Sequence, residues 1–124
     1  MKIVADASVL IDFLRSKSPQ NSFFYNLISG NDVIISLITV AELFSGKSAQ
    51  TKIGREKLFN LIDGLEVRIP DLKDAVAAGE IRSEYQLSLA DAFIASLALK
   101  LNLPLATLNQ KDFTPVSRLK LHQL

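Results

Sequence analysis

Short apolar runs alternate with amphipathic stretches along the whole chain, separated by turn residues. Lys2–Ala5 and residues 33–36 are brief, almost purely apolar runs, the pattern of strands buried on both faces of a parallel sheet. The first ends at Asp6, and Ser8 is placed to cap a helix over residues 9–15. Ser18-Pro19 opens and Gly30 closes a second helix, striped by Phe23, Phe24, Leu27 and Ile28. Residues 39–45 read as a third helix, stopped at Gly46. Residues 47–54 are the most linker-like part of the chain and the expected mobile loop. Ile53, Leu58, Phe59 and Ile62 mark another amphipathic helix, ended by Gly64. Residues 66–69 form an alternating strand stopped by Pro70, and residues 71–85 a helix with Leu72, Ala75 and Val76 inward. A strand over residues 105–108 leads into a polar loop over residues 109–115, and Leu119 and Leu121 are placed on a last edge strand.

Residues 89–101 break the amphipathic pattern. Apart from Asp91, Ser96 and Lys100 every residue there is apolar, so the helix it forms is a core helix. Asp91 falls in its first turn, with Asn102 and Pro104 ending it. A carboxylate in such surroundings is costly unless something pairs with it. Strands alternating with helices predict an α/β fold, a three-layer sandwich with a mainly parallel central sheet, and one domain spanning residues 1–124.

Composition narrows the chemistry. A chain of 13.6 kDa with 48% hydrophobic and 22% charged residues is globular. Its net charge of +1 excludes a uniformly basic nucleic-acid binder but leaves room for a local basic patch. It has no cysteine, which excludes disulfide scaffolds, thiol redox chemistry and Cys-ligated zinc. With His122, near the C-terminus, as the single histidine, neither a His-centred triad nor a His-rich metal site is expected. Asp6 and Asp12 interrupt the apolar N-terminus, which does not read as a signal peptide, and no run is long enough to span a membrane. The expectation is a soluble, cytoplasmic protein with no membrane partner.

What remains is acid chemistry. In parallel sheets ligands bind beyond the carboxyl ends of the strands. Asp6 follows the first strand, Glu42 lies early in the helix after the second, Asp91 opens the core helix and Asp112 follows the 105–108 strand. Each has a plainer role open to it: an Asx-turn for Asp6, a capping box with Thr39 for Glu42, a dipole partner for Asp91, a loop acid for Asp112. Gathered at one edge, however, four carboxylates repel, and a divalent cation removes the conflict. Oxygen-only donors suit Mg²⁺ or Mn²⁺ rather than Zn²⁺. Such a site lowers the pKa of a bound water for attack on a phosphodiester.

These residues also carry a family resemblance. Residues 3–12 (IVADASVLID), 35–43 (ISLITVAEL), 90–95 (ADAFIA) and 105–113 (LATLNQKDF) resemble the motifs of PIN-domain ribonucleases, and among them the VapC-type toxins of toxin–antitoxin modules. The resemblance implies that Asp6, Glu42, Asp91 and Asp112 are the metal-binding catalytic acids, with Ser8, Thr107 and Asn109 in support. It further implies Mg²⁺- or Mn²⁺-dependent cleavage of RNA such as tRNA, a homodimer, and a cognate antitoxin that blocks the active site. Ala7 departs from the family's usual hydroxyl residue, and the glycine common before Asp91 is missing.

For the partners, Lys47, Lys52, Arg55 and Lys57 form a basic cluster opposed only by Glu56, a candidate guide for RNA or contact for an antitoxin. Lys111, beside Asp112, is a candidate phosphate contact. Phe44 adjoins Leu43 on one helix, so both cannot point inward, and a groove for an amphipathic partner helix is expected there. Two other functions compete. A phospho-receiver domain would use Asp71 with Thr107 and Lys111, but leaves Glu42 and Asp91 without a role. A non-catalytic binding module would use the acids as caps only.

Overall fold

The computed structural model describes residues 1–123. Among these, four parallel strands, β1 (Lys2–Ala5), β2 (Asp32–Ser36), β3 (Glu66–Arg68) and β4 (Leu105–Ala106), form one sheet in the order β3-β2-β1-β4. The register sets Ile3 beside Val33, Ile35 beside Val67 and Val4 beside Leu105. Strand side chains alternate between faces, so the apolar runs feed two cores. Ile3, Ala5, Val33 and Ile35 pack on one side against α1 (Ala7–Arg15), α2 (Phe23–Gly30), α3 (Leu37–Phe44) and α4 (Lys52–Asp63), through Val9, Leu10, Phe24, Leu27, Leu43 and Leu58. Val4, Ile34 and Leu105 pack on the other against α5 (Leu72–Tyr85) and α6 (Leu89–Leu101). This is the expected three-layer α/β sandwich.

The expected core helix is α6, with Ala92, Ile94, Ala95 and Ala98 buried and Asn102 ending it in a left-handed conformation. Local capping decides most of the other boundaries, and in several places it moves them. Asp6 rather than Ser8 caps α1: its Oδ1 accepts the Ser8 N–H at 3.0 Å, so the helix begins at Ala7. The expected second helix is split. Pro19–Asn21 forms a 3₁₀ turn, and the Ser22 hydroxyl, accepting from the Tyr25 N–H, starts α2. Ser36 caps α3 two residues earlier than expected, which leaves Thr39 inside the helix.

Residues 47–54 are not a loop. Lys47–Gln50 forms a 3₁₀ turn that runs into α4. The junction requires Gly54, because a Cβ there would lie 1.8 Å from the Ser48 carbonyl oxygen. On α4 only Leu58 is buried, while Ile53 and Phe59 face solvent. On α5 the inward face is Ala78, Ile81 and Tyr85, at helical spacing, and Leu72 and Val76 are exposed. The last strand stops at Ala106, and α7 (Gln110–Phe113) replaces the expected polar loop because burial of Phe113 anchors it. Leu121 makes a single parallel bridge to Leu105 in place of an edge strand.

Candidate active site

From β1 the sheet grows outward through β2 to β3, then returns to the far side of β1 for β4. Such a reversal opens a crevice at the carboxyl ends of the two strands that flank it. Asp6 directly follows β1, and Thr107 directly follows β4, so both stand at that crevice.

Asp6 is buried, and three donors hold it. Its Oδ1 accepts the backbone N–H and the hydroxyl of Ser8, and its Oδ2 accepts the hydroxyl of Thr107. Each hydroxyl has a single proton to give, and each spends it on Asp6. In return the Leu108 N–H donates to Ser8 Oγ at 3.0 Å, and the Asn109 N–H to Thr107 Oγ1 at 3.0 Å. Asn109 therefore supports the site through its backbone. This network both caps α1 and orients a carboxylate, so the Asx-turn role and a chemical role coincide in Asp6. Burial pushes the Asp6 carboxyl above its ordinary value, and the Ser8 and Thr107 hydroxyls pull it back.

Glu42 lies in the second turn of α3, half-buried. It has no capping role, since Ser36 occupies that position. Burial raises its carboxyl, and the charges of Asp91 and Asp6 raise it further. Among the described residues its Oε1 is buried without a hydrogen-bond partner. Asp91 is half-buried in the first turn of α6, where its N–H donates to the capping Ser88 hydroxyl at 3.1 Å. Burial raises the Asp91 carboxyl; the Ser88 hydroxyl lowers it, and the charges of Asp6 and Asp112 raise it. Asp112 lies exposed on α7, with Lys111 exposed beside it.

Glu42 thus feels the charges of Asp91 and Asp6, and Asp91 those of Asp6 and Asp112, although the four come from separate segments. Among the described residues no group of three or more acid or histidine side chains is close enough to hold one ion in common. The donor set nonetheless suits a hydrated divalent cation. Mg²⁺ is commonly held by one or two carboxylates and keeps several waters, and the partnerless Oε1 of Glu42 is an oxygen with capacity left for it.

Asp71, the acid a receiver would use, is taken up in a reciprocal capping box. Its Oδ1 accepts the Asp74 N–H and the Asp74 Oδ2 accepts the Asp71 N–H, each at 2.9 Å. The basic cluster lies on one short stretch: Lys47 on the 3₁₀ turn, and Lys52, Arg55 and Lys57 on α4, all exposed. The Arg55 guanidinium lies 5.3 Å over the Phe44 ring and 5.9 Å over the Phe59 ring, and those rings pack 4.9 Å apart. Two polar features were not apparent from the sequence. Ser36 is the cap of α3, and Thr39 is fully buried with a partnerless hydroxyl. The serine directly after a buried strand was the available signal for the first.

A parallel α/β sheet with acids at its reversal point defines a class of metal-assisted nucleic-acid enzymes only loosely. The comparisons with known proteins are more specific. A PIN domain family model matches residues 3–119, and the chain belongs to that family. Its fold is similar to VapBC2 from Rickettsia felis bound to a promoter DNA fragment, with 26% identity, 100% and 99% of the two chains covered and a TM-score of 0.81. A toxin–antitoxin complex from Klebsiella pneumoniae matches at 26% identity over 94% of each chain, with a TM-score of 0.75. DNA-bound VapBC from Salmonella typhimurium shares the fold at 24% identity over 98% and 97%, with a TM-score of 0.81. These structures support the VapC-type resemblance. Among curated proteins none matches the sequence. No helix among the described residues is long and apolar enough to cross a membrane.

Proposed function

We propose that this chain is a metal-dependent endoribonuclease, one nuclease domain over residues 1–124, acting as the toxin of a toxin–antitoxin pair. PIN domains are generally nucleases, and the family match covers nearly the whole chain. The observation that carries the reading is Asp6, held by the Ser8 and Thr107 hydroxyls where the sheet reverses, with Glu42 near enough to feel Asp6 and Asp91, and Asp91 to feel Asp6 and Asp112.

One or two of Asp6, Glu42 and Asp91, together with retained waters and with Asp112 at the rim, would hold Mg²⁺ or Mn²⁺, which when bound supplies a water of lowered pKa and stabilises the leaving oxygen. The chain's own contribution is placement. Ser8 and Thr107 favour the ionised form of Asp6 against the cost of its burial and hold it in one orientation. Glu42 and Asp91, already raised by burial and by neighbouring carboxylates, are poised to give up that cost when a cation arrives. Lys47, Lys52, Arg55 and Lys57 supply the positive charge that RNA phosphates need, and Lys111 a further contact beside Asp112.

The solved toxin–antitoxin relatives support a cognate antitoxin for this chain, and we extend the proposal to a homodimer in the cytoplasm. The Phe44–Phe59–Arg55 cluster, part apolar and part cationic, is the surface assigned to that partner. The test is cleavage of total tRNA with and without chelator, using wild type and Asp6→Asn. Chelator-sensitive cleavage lost in Asp6→Asn is expected; cleavage that survives both treatments overturns the reading.

A further inference from the structure

Thr39 is the third residue of α3 and is fully buried. Among the described residues its Oγ1 has no hydrogen-bond partner, and neither has Glu42 Oε1. The two residues are three positions apart on one helix, so their side chains leave α3 on the same face, one turn apart. A threonine inside a helix ordinarily settles its hydroxyl on a carbonyl three or four residues back. Thr39 does not make that bond. A buried hydroxyl without a partner is unfavourable, and valine would fill similar space without the penalty. The two deficits are complementary: a hydroxyl has one proton to donate, and an ionised carboxylate only accepts.

We infer that Thr39 is a positioning residue for Glu42: when a divalent cation binds, its hydroxyl donates to Oε1, a bond the two atoms do not make in this structure, and so orients the carboxylate toward the ion. The same device operates at Asp6, which the Ser8 and Thr107 hydroxyls hold. Thr39 differs from them in lying on the same helix as the acid it serves. The inference rests on the cation-dependent reading proposed above.

The test is calorimetric titration of Mn²⁺ into metal-free protein, for wild type, Thr39→Val, Thr39→Ser and Glu42→Gln, with thermal unfolding of each. Thr39→Val is expected to bind Mn²⁺ about 10-fold or more weakly, and Thr39→Ser within about twofold of wild type, as for loss and retention of an outer-shell partner. Thr39→Val should unfold at or above the wild-type temperature without metal. Should it not fold, Thr39→Ala replaces it with the same expected loss of affinity. Wild-type Mn²⁺ affinity in Thr39→Val, alongside weakened binding in Glu42→Gln, overturns the inference and leaves the nuclease reading standing. Absence of Mn²⁺ binding by the wild type overturns both.

Discussion

The hydroxyl of Thr107 donates to Oδ2 of Asp6, joining residues 101 positions apart at the point where the sheet reverses direction. This contact ties β4 to β1 beyond their last ladder pair, Ala5 with Ala106. Thr107→Val removes one of the three donors that hold a buried carboxylate. A hydrogen bond to a charged group is worth about 1.5–3 kcal/mol, and a loss of that order at neutral pH is expected in chemical denaturation. The Asp6 carboxyl should rise further, since a bond that favours its ionised form is gone.

The pH dependence of the metal-free protein follows from the raised carboxyls of Asp6, Glu42 and Asp91, lifted in each case chiefly by burial. An acid whose folded pKa exceeds its unfolded value binds more protons in the native state. Its contribution to stability therefore falls as pH rises from the unfolded value, about 4, through the raised folded value. Melting temperature in chelator is expected to increase on going from pH 7 to pH 5. A flat or falling profile would show that the three carboxyls are not raised in the folded protein.

A bound divalent cation reverses that cost. Because only the native state gathers the acids, Mg²⁺ or Mn²⁺ should raise the melting temperature, by about 2.7 kcal/mol of stability at 100 times the dissociation constant. The effect should be absent in Glu42→Gln and Asp91→Asn, both of which should also be more stable than wild type in chelator. Differential scanning calorimetry across a metal titration measures all of this.

Gly54 provides a test of the fold independent of the site. Its alanine variant would place a methyl carbon 1.8 Å from the Ser48 carbonyl oxygen, against backbone that cannot swing aside. Overpacking of this kind costs about 1–3 kcal/mol, expected as a lowered melting temperature with the tRNA cleavage rate per folded molecule retained.

For the partner surface, Phe44→Glu would set a carboxylate between the Arg55 guanidinium and the Phe59 ring. Co-purification with the proposed cognate antitoxin should fail, while cleavage of tRNA by the free protein persists. Undiminished antitoxin binding would remove this cluster from the interface.

Elements made by local chemistry were legible before any coordinates. The buried strand runs, the core helix α6 with its Ser88 and Asn102 caps, and the stops at Gly30 and Gly64 each depend on neighbours a few residues away. So the α/β class could be read from the alternation of elements. Which face of α4 and α5 turns inward could not be. Ile53, Phe59, Leu72 and Val76 are as apolar as the residues that are buried, and only the position of the sheet and α6 selects among them. Competing caps within three residues, Asp6 against Ser8 and Ser36 against Thr39, were settled by where the preceding strand ends.

The sequence by itself determined the inventory: short buried strands, an all-apolar helix carrying one acid, and oxygen-only chemistry in a chain without cysteine. The tertiary structure alone decided that Thr107 meets Asp6, that Glu42 feels Asp91, and that Thr39 is left with a buried, partnerless hydroxyl. The physical reason is range. Propensity and capping act over a few residues, whereas desolvation and charge repulsion depend on which segments the fold brings within a few ångströms of each other.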